Sequence, residues 1–213
     1  MKAVGYTMLG EIDRDDSLVD FEAERPIADG RDLLVAIRAV AVNPVDYKVR
    51  GRRPPEGGQP NILGFDAVGE VVEAGPDATL FQPGDRVWHA GVINRPGTNA
   101  EYHLVDERIV GRAPTGVADA EAAALPLTAL TAYEMLFDRL NVTDPVPGAA
   151  PAVLIIGGAG GVGSIAIQLL RALTDLTVIA TASRPETQAW ARVQLFTIFF
   201  LEHFELLWVH LES

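Results

Sequence analysis

The chain has 213 residues, a formal net charge of −12, 48% hydrophobic residues and no cysteine. Such a length holds one large or two modest domains with a real core, and the hydrophobic share is that of a soluble globular protein. The acidity argues against nucleic acid or an anionic membrane as partner, since both need basic patches, and the missing thiols exclude disulfides, thiolate chemistry and zinc sites built on cysteine.

The opening MKAVGYTMLGEIDRDD reaches acidic residues before any apolar stretch long enough for a signal peptide, so the expectation is a cytoplasmic enzyme. Short alternating or β-branched runs predict strands over Lys2–Leu9, Leu33–Val42, Ala67–Glu73, Arg86–Ala90, Ala100–Val105 and Arg108–Val110. Turn clusters such as RRPPEGGQP and EAGPDA separate them, a pattern that suggests a partly open barrel or a sandwich. The acidic run Glu11 to Glu24 reads as a solvated loop or an edge strand. From Val117 alanine and leucine dominate, predicting helices over Asp119–Leu125 and Leu127–Leu140 with a break at Pro126. A domain boundary is expected between residues 113 and 126, and the proline-rich stretch Asn141–Pro151 reads as a loop.

The stretch Pro151–Arg184 predicts a strand, a turn, a helix and a second strand. Ala152 to Ile156 is an all-apolar run that reads as a strand buried on both faces. Glycines follow at 157, 158, 160, 161 and 163, then Ile165, Ile167, Leu169, Leu170 and Leu173 at helical spacing, then the strand Leu176–Ala182. Gly158, Gly160 and Gly163 spell G-x-G-x-x-G, with Gly161 and Val162 inside it. In this setting the first glycine allows a tight turn, the second lets backbone approach a pyrophosphate, and the third lets helix and strand pack closely. Phosphates would sit over the N–H groups that open the helix; a glycine-rich turn of some other α/β fold is the alternative. An acidic residue about 20 positions on would mark NAD(H). The second strand ends instead in Ala182, Ser183 and Arg184, and a hydroxyl with a guanidinium suits the 2′-phosphate of NADP(H). Arg184 also reads as an ordinary solvated residue, because Pro185 after it marks a plain helix start.

Six segments, AVAVNPVDYKVRG (Ala39 to Gly51), LGFDAVGEVVEAG (Leu63 to Gly75), PGDRV (Pro83 to Val87), NAEYHLV (Asn99 to Val105), LPLTALTAYEML (Leu125 to Leu136) and GGAGGVGSIAIQLLR (Gly157 to Arg171), occur in this order. Over residues 1 to 192 the chain thereby resembles the medium-chain dehydrogenase/reductase superfamily, in its zinc-free quinone oxidoreductase and enoyl reductase branch, close to proteins labelled zinc-type alcohol dehydrogenase-like. The resemblance implies an α/β protein with a β-rich part. Residues 1–125 would form a GroES-like, partly open β-barrel holding the substrate, and 126–192 an incomplete Rossmann-type parallel domain binding NADP(H). It also implies a homodimer acting on a small carbonyl or quinone.

In the zinc-dependent relatives a cysteine lies near the position of Asn43 to Asp46, and a histidine follows the glycine at the position of Gly64. Here Phe65 follows Gly64, and phenylalanine cannot ligate a metal. His89, His103, His203 and His210 lack ligand spacing; His89 and His103 read as structural or surface residues. No metal is expected, with an Asp46-based site left open. Hydride transfer without metal needs pre-aimed donors. The resemblance implies that Asn43 contacts cofactor or substrate and that Tyr47 or Lys48 polarises the carbonyl or delivers a proton. Tyr47 reads equally as a packing residue, and many relatives carry a tyrosine where this chain has Lys48. Thr131 would hydrogen-bond the nicotinamide carboxamide or, alternatively, its own helix.

After Ala191-Arg192 the resemblance stops. Residues 193–211 are apolar almost throughout, broken by Glu202, His203, Glu205 and His210, and too interrupted for a transmembrane helix. Residues 193–213 read as a non-family hydrophobic tail, from a truncated or frame-shifted reading frame or a splice product. Three functions follow: an NADPH-dependent, zinc-free quinone or enone reductase, an inactive dinucleotide-binding fragment or partner subunit, and a zinc alcohol dehydrogenase.

Overall fold

The computed structural model describes residues 1–55 and 57–194; the predicted apolar ending beyond residue 194 lies outside the described residues. Two units make up the chain, the first Met1–Leu127 and the second starting at Thr128.

The first unit is β-rich. Its elements are β1 (Lys2–Tyr6), β2 (Val19–Glu22), β3 (Asp32–Ala41), α1 (Pro44–Arg52), β4 (Asn61–Ile62), β5 (Asp66–Ala74), β6 (Arg86–Ala90), β7 (Tyr102–Asp106), β8 (Val110–Arg112) and α2 (Asp119–Ala123). An antiparallel sheet of order β7-β3-β5-β6-β8 and a second of order β2-β1-β4 share the work, and no closed barrel forms among the described residues. Alternation along the strands turns Leu33, Val35, Val71, Val87 and Val105 into one fully desolvated cluster. Each such side chain contributes about 1.5–3 kcal/mol on burial. Register shifts between β3 and β5, at Leu34/Val35 and Ile37/Ala39, break the strict alternation and let Leu34 be buried beside Leu33.

The second unit begins within α3 (Pro126–Tyr133), which continues as a π-helical turn over Glu134–Arg139. Then come β9 (Ala152–Ile155), α4 (Gly161–Leu173), β10 (Thr177–Ala180) and α5 (Pro185–Gln194). β9 and β10 pair in parallel, Val153 against Val178 and Ile155 against Ala180. Ala132 and Leu136 pack with Ile155, Ala166, Ile167, Leu170, Val178 and Ala180 into its core.

Three local expectations are corrected. β9 is not buried on both faces: Val153 and Ile155 face the core, whereas Leu154 is 41% exposed on the opposite side. The strand expected over Arg108–Val110 starts only at Val110, because the Asp106 carboxylate accepts the Arg108 N–H and holds a 3₁₀ turn over Glu107–Ile109. Asn43-Pro44 opens the helix α1 rather than a plain turn. Only Asp46 and Arg50 of that helix are buried, so it carries no apolar periodicity to read.

Candidate active site

The first cluster gathers around the start of α1. Asn43 is its N-cap and Pro44 its first residue, where a missing N–H costs nothing. Asp46 at N3 reaches back: Oδ2 accepts the Asn43 N–H at 2.8 Å, while Oδ1 accepts the Gly64 N–H at 2.9 Å. Gly64 has φ +105°, and a Cβ there would overlap Thr98 Oγ1, so only glycine brings its amide to Asp46. Two residues on, Asp66 is fully buried at the start of β5. Its Oδ2 accepts from Asn43 Nδ2 at 2.8 Å, and its Oδ1 accepts from the Leu127 N–H at 2.7 Å. One carboxylate thus joins β5, α1 and the entry to α3.

Burial raises both acids. It pushes Asp66 up to about 6, against the hydrogen bonds from Asn43 and Leu127 and with help from the nearby Asp46 charge. Asp46 is raised for the same reason, opposed by its backbone donors. An ionised Asp66 only accepts, so it fixes the Asn43 amide with nitrogen toward the carboxylate. The side-chain oxygen faces the N3 backbone in the capping box, which leaves the second amide N–H for a ligand. Tyr47 and Lys48 follow on α1, both exposed, with Tyr47 at 65% and Lys48 Nζ 6.0 Å from its ring centroid. The packing role for Tyr47 is therefore overturned. The signal for Asp66 was available in the sequence: a lone carboxylate within the apolar run from Leu63 to Val68.

The second cluster is the glycine turn between β9 and α4. Gly157 takes φ +73°, so the tight-turn role expected of Gly158 falls to its neighbour. Gly158 is glycine for space: a Cβ would stand 2.8 Å from Ala180 Cβ and 3.0 Å from Ile167 Cδ1. At Gly163 a Cβ would overlap the Gly157 carbonyl oxygen, which is the close helix–turn packing expected there. Gly160 is the N-cap of α4, and Gly161, Val162 and Gly163 form its first turn, whose N–H groups have no partner within the helix. That backbone matches what a pyrophosphate requires.

Thr181, which sequence reasoning missed, ties the turn to the end of β10. Its Oγ1 accepts the Gly157 N–H at 3.0 Å and its carbonyl the Gly158 N–H at 3.0 Å. Ser183 and Arg184 follow, both exposed. Ser164 Oγ donates to the Gly158 carbonyl at 3.2 Å and accepts from Trp190 Nε1 at 2.8 Å, so α5 braces the turn from below. Thr131 is exposed on α3. The structure thus collects Asn43, Tyr47 and Lys48 in the first unit, and Thr131, the glycines, Ser183 and Arg184 in the second.

His89 and His103 are buried and meet, Nε2 to Nδ1, at 3.0 Å, which excludes a surface role. His103 Nε2 lies 3.1 Å from the Pro96 carbonyl and must carry its proton, so His103 Nδ1 accepts from His89 Nε2. Burial holds both imidazoles neutral, at about 3 for His89 and about 4 for His103. They are structural. Among the described residues no three His, Cys, Asp or Glu side chains are grouped to hold a metal ion. No helix among them is long and apolar enough to cross a membrane.

Comparison with known proteins identifies relatives of the chain. Residues 29–118 match the alcohol dehydrogenase GroES-like domain. The chain is 46% identical over 191 residues to a zinc-type alcohol dehydrogenase-like protein of Staphylococcus aureus (strain COL), covering 89% of this chain and 56% of that protein. It is 35% identical over 193 residues to a 2-methylene-furan-3-one reductase of Solanum lycopersicum, covering 86% and 47%. A crystal structure from Rhizobium etli CFN 42, provisionally assigned as a zinc-dependent alcohol dehydrogenase, superposes with a TM-score of 0.92 at 59% identity, covering 95% of this chain and 59% of that one. The chain spans about half the length of the curated relatives it matches.

Proposed function

Since the chain belongs to the medium-chain dehydrogenase/reductase superfamily, we propose that it is an NADPH-dependent reductase of quinones or α,β-unsaturated carbonyls that works without a catalytic zinc. The observation that carries this reading is the glycine turn. Its packing admits no side chain at Gly158 or Gly163, and it is bonded through Thr181 to a strand end bearing Ser183 and Arg184. A guanidinium and a hydroxyl there suit a 2′-phosphate. NADPH, when bound, supplies the hydride.

The chain's own residues place the acceptor. Asn43 offers its second N–H to the substrate carbonyl, held in orientation by Asp66. Tyr47 Oη or Lys48 Nζ donates the proton that the reduced oxygen or carbon requires. The furanone reductase relative is named for a conjugated ketone, and a quinone is the same hydride acceptor with a second carbonyl. Small apolar or hydroxylic differences in substrate would be resolved weakly by such a site.

Zinc in the names of two relatives does not carry over to these residues. Both oxygens of Asp46 and both of Asp66 are engaged by N–H donors, Phe65 has no ligating atom, and the chain has no cysteine. The donor set does not fit a catalytic zinc.

Fluorescence titration of the purified chain with NADPH and NADH tests the proposal. Saturable binding that prefers NADPH and weakens about tenfold or more in Arg184→Ala is the expected result, from loss of a charged phosphate contact; metal analysis should return no stoichiometric zinc. A second reading, a dinucleotide-binding chain without turnover, is favoured by the parallel sheet of only two strands among the described residues. Turnover of a quinone with NADPH eliminates it. A homodimer that stays in the cytoplasm and binds neither membrane nor nucleic acid completes the proposal, in keeping with the net charge of −12.

A further inference from the structure

The end of β10 is held beside the glycine turn by the two bonds to Thr181. Three residues on, Arg184 caps α5. Its carbonyl accepts the Gln188 N–H at 2.8 Å, and its own N–H donates to Thr187 Oγ1 at 3.1 Å. Pro185 fixes the backbone between. Arg184 and Glu186 therefore project from one rigid turn, and there the Glu186 carboxylate meets Arg184 Nε at 2.9 Å. Both side chains are open to water, 70% and 68% exposed, so the pair contributes little to stability. Its consequence is electrostatic: a carboxylate already occupies one edge of the guanidinium that a 2′-phosphate would use.

We propose that Glu186 is a specificity-determining residue, an internal anion that competes with the 2′-phosphate of NADPH for Arg184 and holds down the preference for NADPH over NADH. The inference rests on reading the glycine turn with Ser183 and Arg184 as the dinucleotide site. The phosphate carries close to two negative charges. At about 5 Å in water its repulsion from one carboxylate, screened by salt, corresponds to about a three- to tenfold change in affinity. NADH has a hydroxyl at that place, which a carboxylate accepts from rather than repels.

The test is the dissociation constant of NADPH and of NADH, by fluorescence titration at low and high salt, for the wild type, Glu186→Gln, Arg184→Ala and the double variant. Glu186→Gln should tighten NADPH about three- to tenfold at low salt and leave NADH within about twofold. The gain should shrink at high salt and in the Arg184→Ala background. Unchanged NADPH affinity in Glu186→Gln relative to a wild type that binds NADPH overturns the inference, as does an equal gain for NADH. Binding of neither cofactor by the wild type overturns the dinucleotide reading itself, and this inference with it.

Discussion

Asp66 carries a conflict between burial and bonding that its position resolves. Two donors, the buried Asn43 Nδ2 and the partly buried Leu127 N–H, need acceptors, and one carboxylate serves both. Full desolvation works against its charge and lifts it to about 6. The folded chain therefore keeps a proton between pH 4 and pH 6 that the unfolded chain releases, so this group stabilises most in acid and loses that contribution as pH rises through 6. Asp66→Asn removes the titration. The difference in unfolding free energy between wild type and Asp66→Asn should fall by about 3 kcal/mol from pH 4 to pH 7, from a shift of about two pH units. Urea denaturation at a series of pH values checks it, and a pH-independent difference would refute the assignment. His89 and His103 act with the opposite sign. Their lowered values, about 3 and about 4, make the unfolded chain the better proton acceptor below pH 6.5, so their contribution is lost as pH falls. Using Asp66→Asn as the reference cancels the imidazole term.

Among the elements, α4 shows packing overruling propensity. Glycine inside a helix is ordinarily poorer than alanine by about 1 kcal/mol, so Gly163→Ala would stabilise a free helix. In this fold the added Cβ overlaps the backbone oxygen of Gly157, which a side-chain rotation cannot relieve. Overpacking of that kind costs about 1–3 kcal/mol and outweighs the propensity gain. Gly163→Ala should lower the unfolding free energy by up to about 2 kcal/mol net and weaken NADPH binding, since the oxygen it displaces belongs to the turn. Thermal unfolding with and without NADPH measures both effects. The glycine turn was legible because its spacing is dictated by contacts within one short segment. α1 was not, because its capping uses Asp46 for Asn43 and Gly64 for Asp46, and the second partner comes from eighteen residues away.

Across the whole molecule, the two units differ in how their strands are supported. β3 lies between β7 and β5 and carries Leu33, Leu34 and Val35 at full burial. β9 and β10 have only each other among the described residues, and Leu154 and Ile156 stand exposed. A two-stranded sheet is marginal unless a helix covers it, as α4 does on one face. Native-state hydrogen exchange should therefore find the β3 and β5 amides protected close to the global unfolding limit, with β9 and β10 opening at lower free energy. Equal protection of the two sheets would contradict this account.

Sequence alone determined what depends on neighbours along the chain: most of the longer strands, the strand–turn–helix–strand order of the second unit, the glycine turn, the arginine after the second parallel strand and the absence of cysteine ligands. Only the tertiary structure decided that Asp66 joins Asn43 to Leu127, that Thr181 ties the turn to β10, that His89 meets His103 and that Glu186 sits on Arg184 Nε. Those are side-chain partnerships set by burial and by the direction of a donor or acceptor, and no residue's identity specifies which distant group the folded backbone will bring to it.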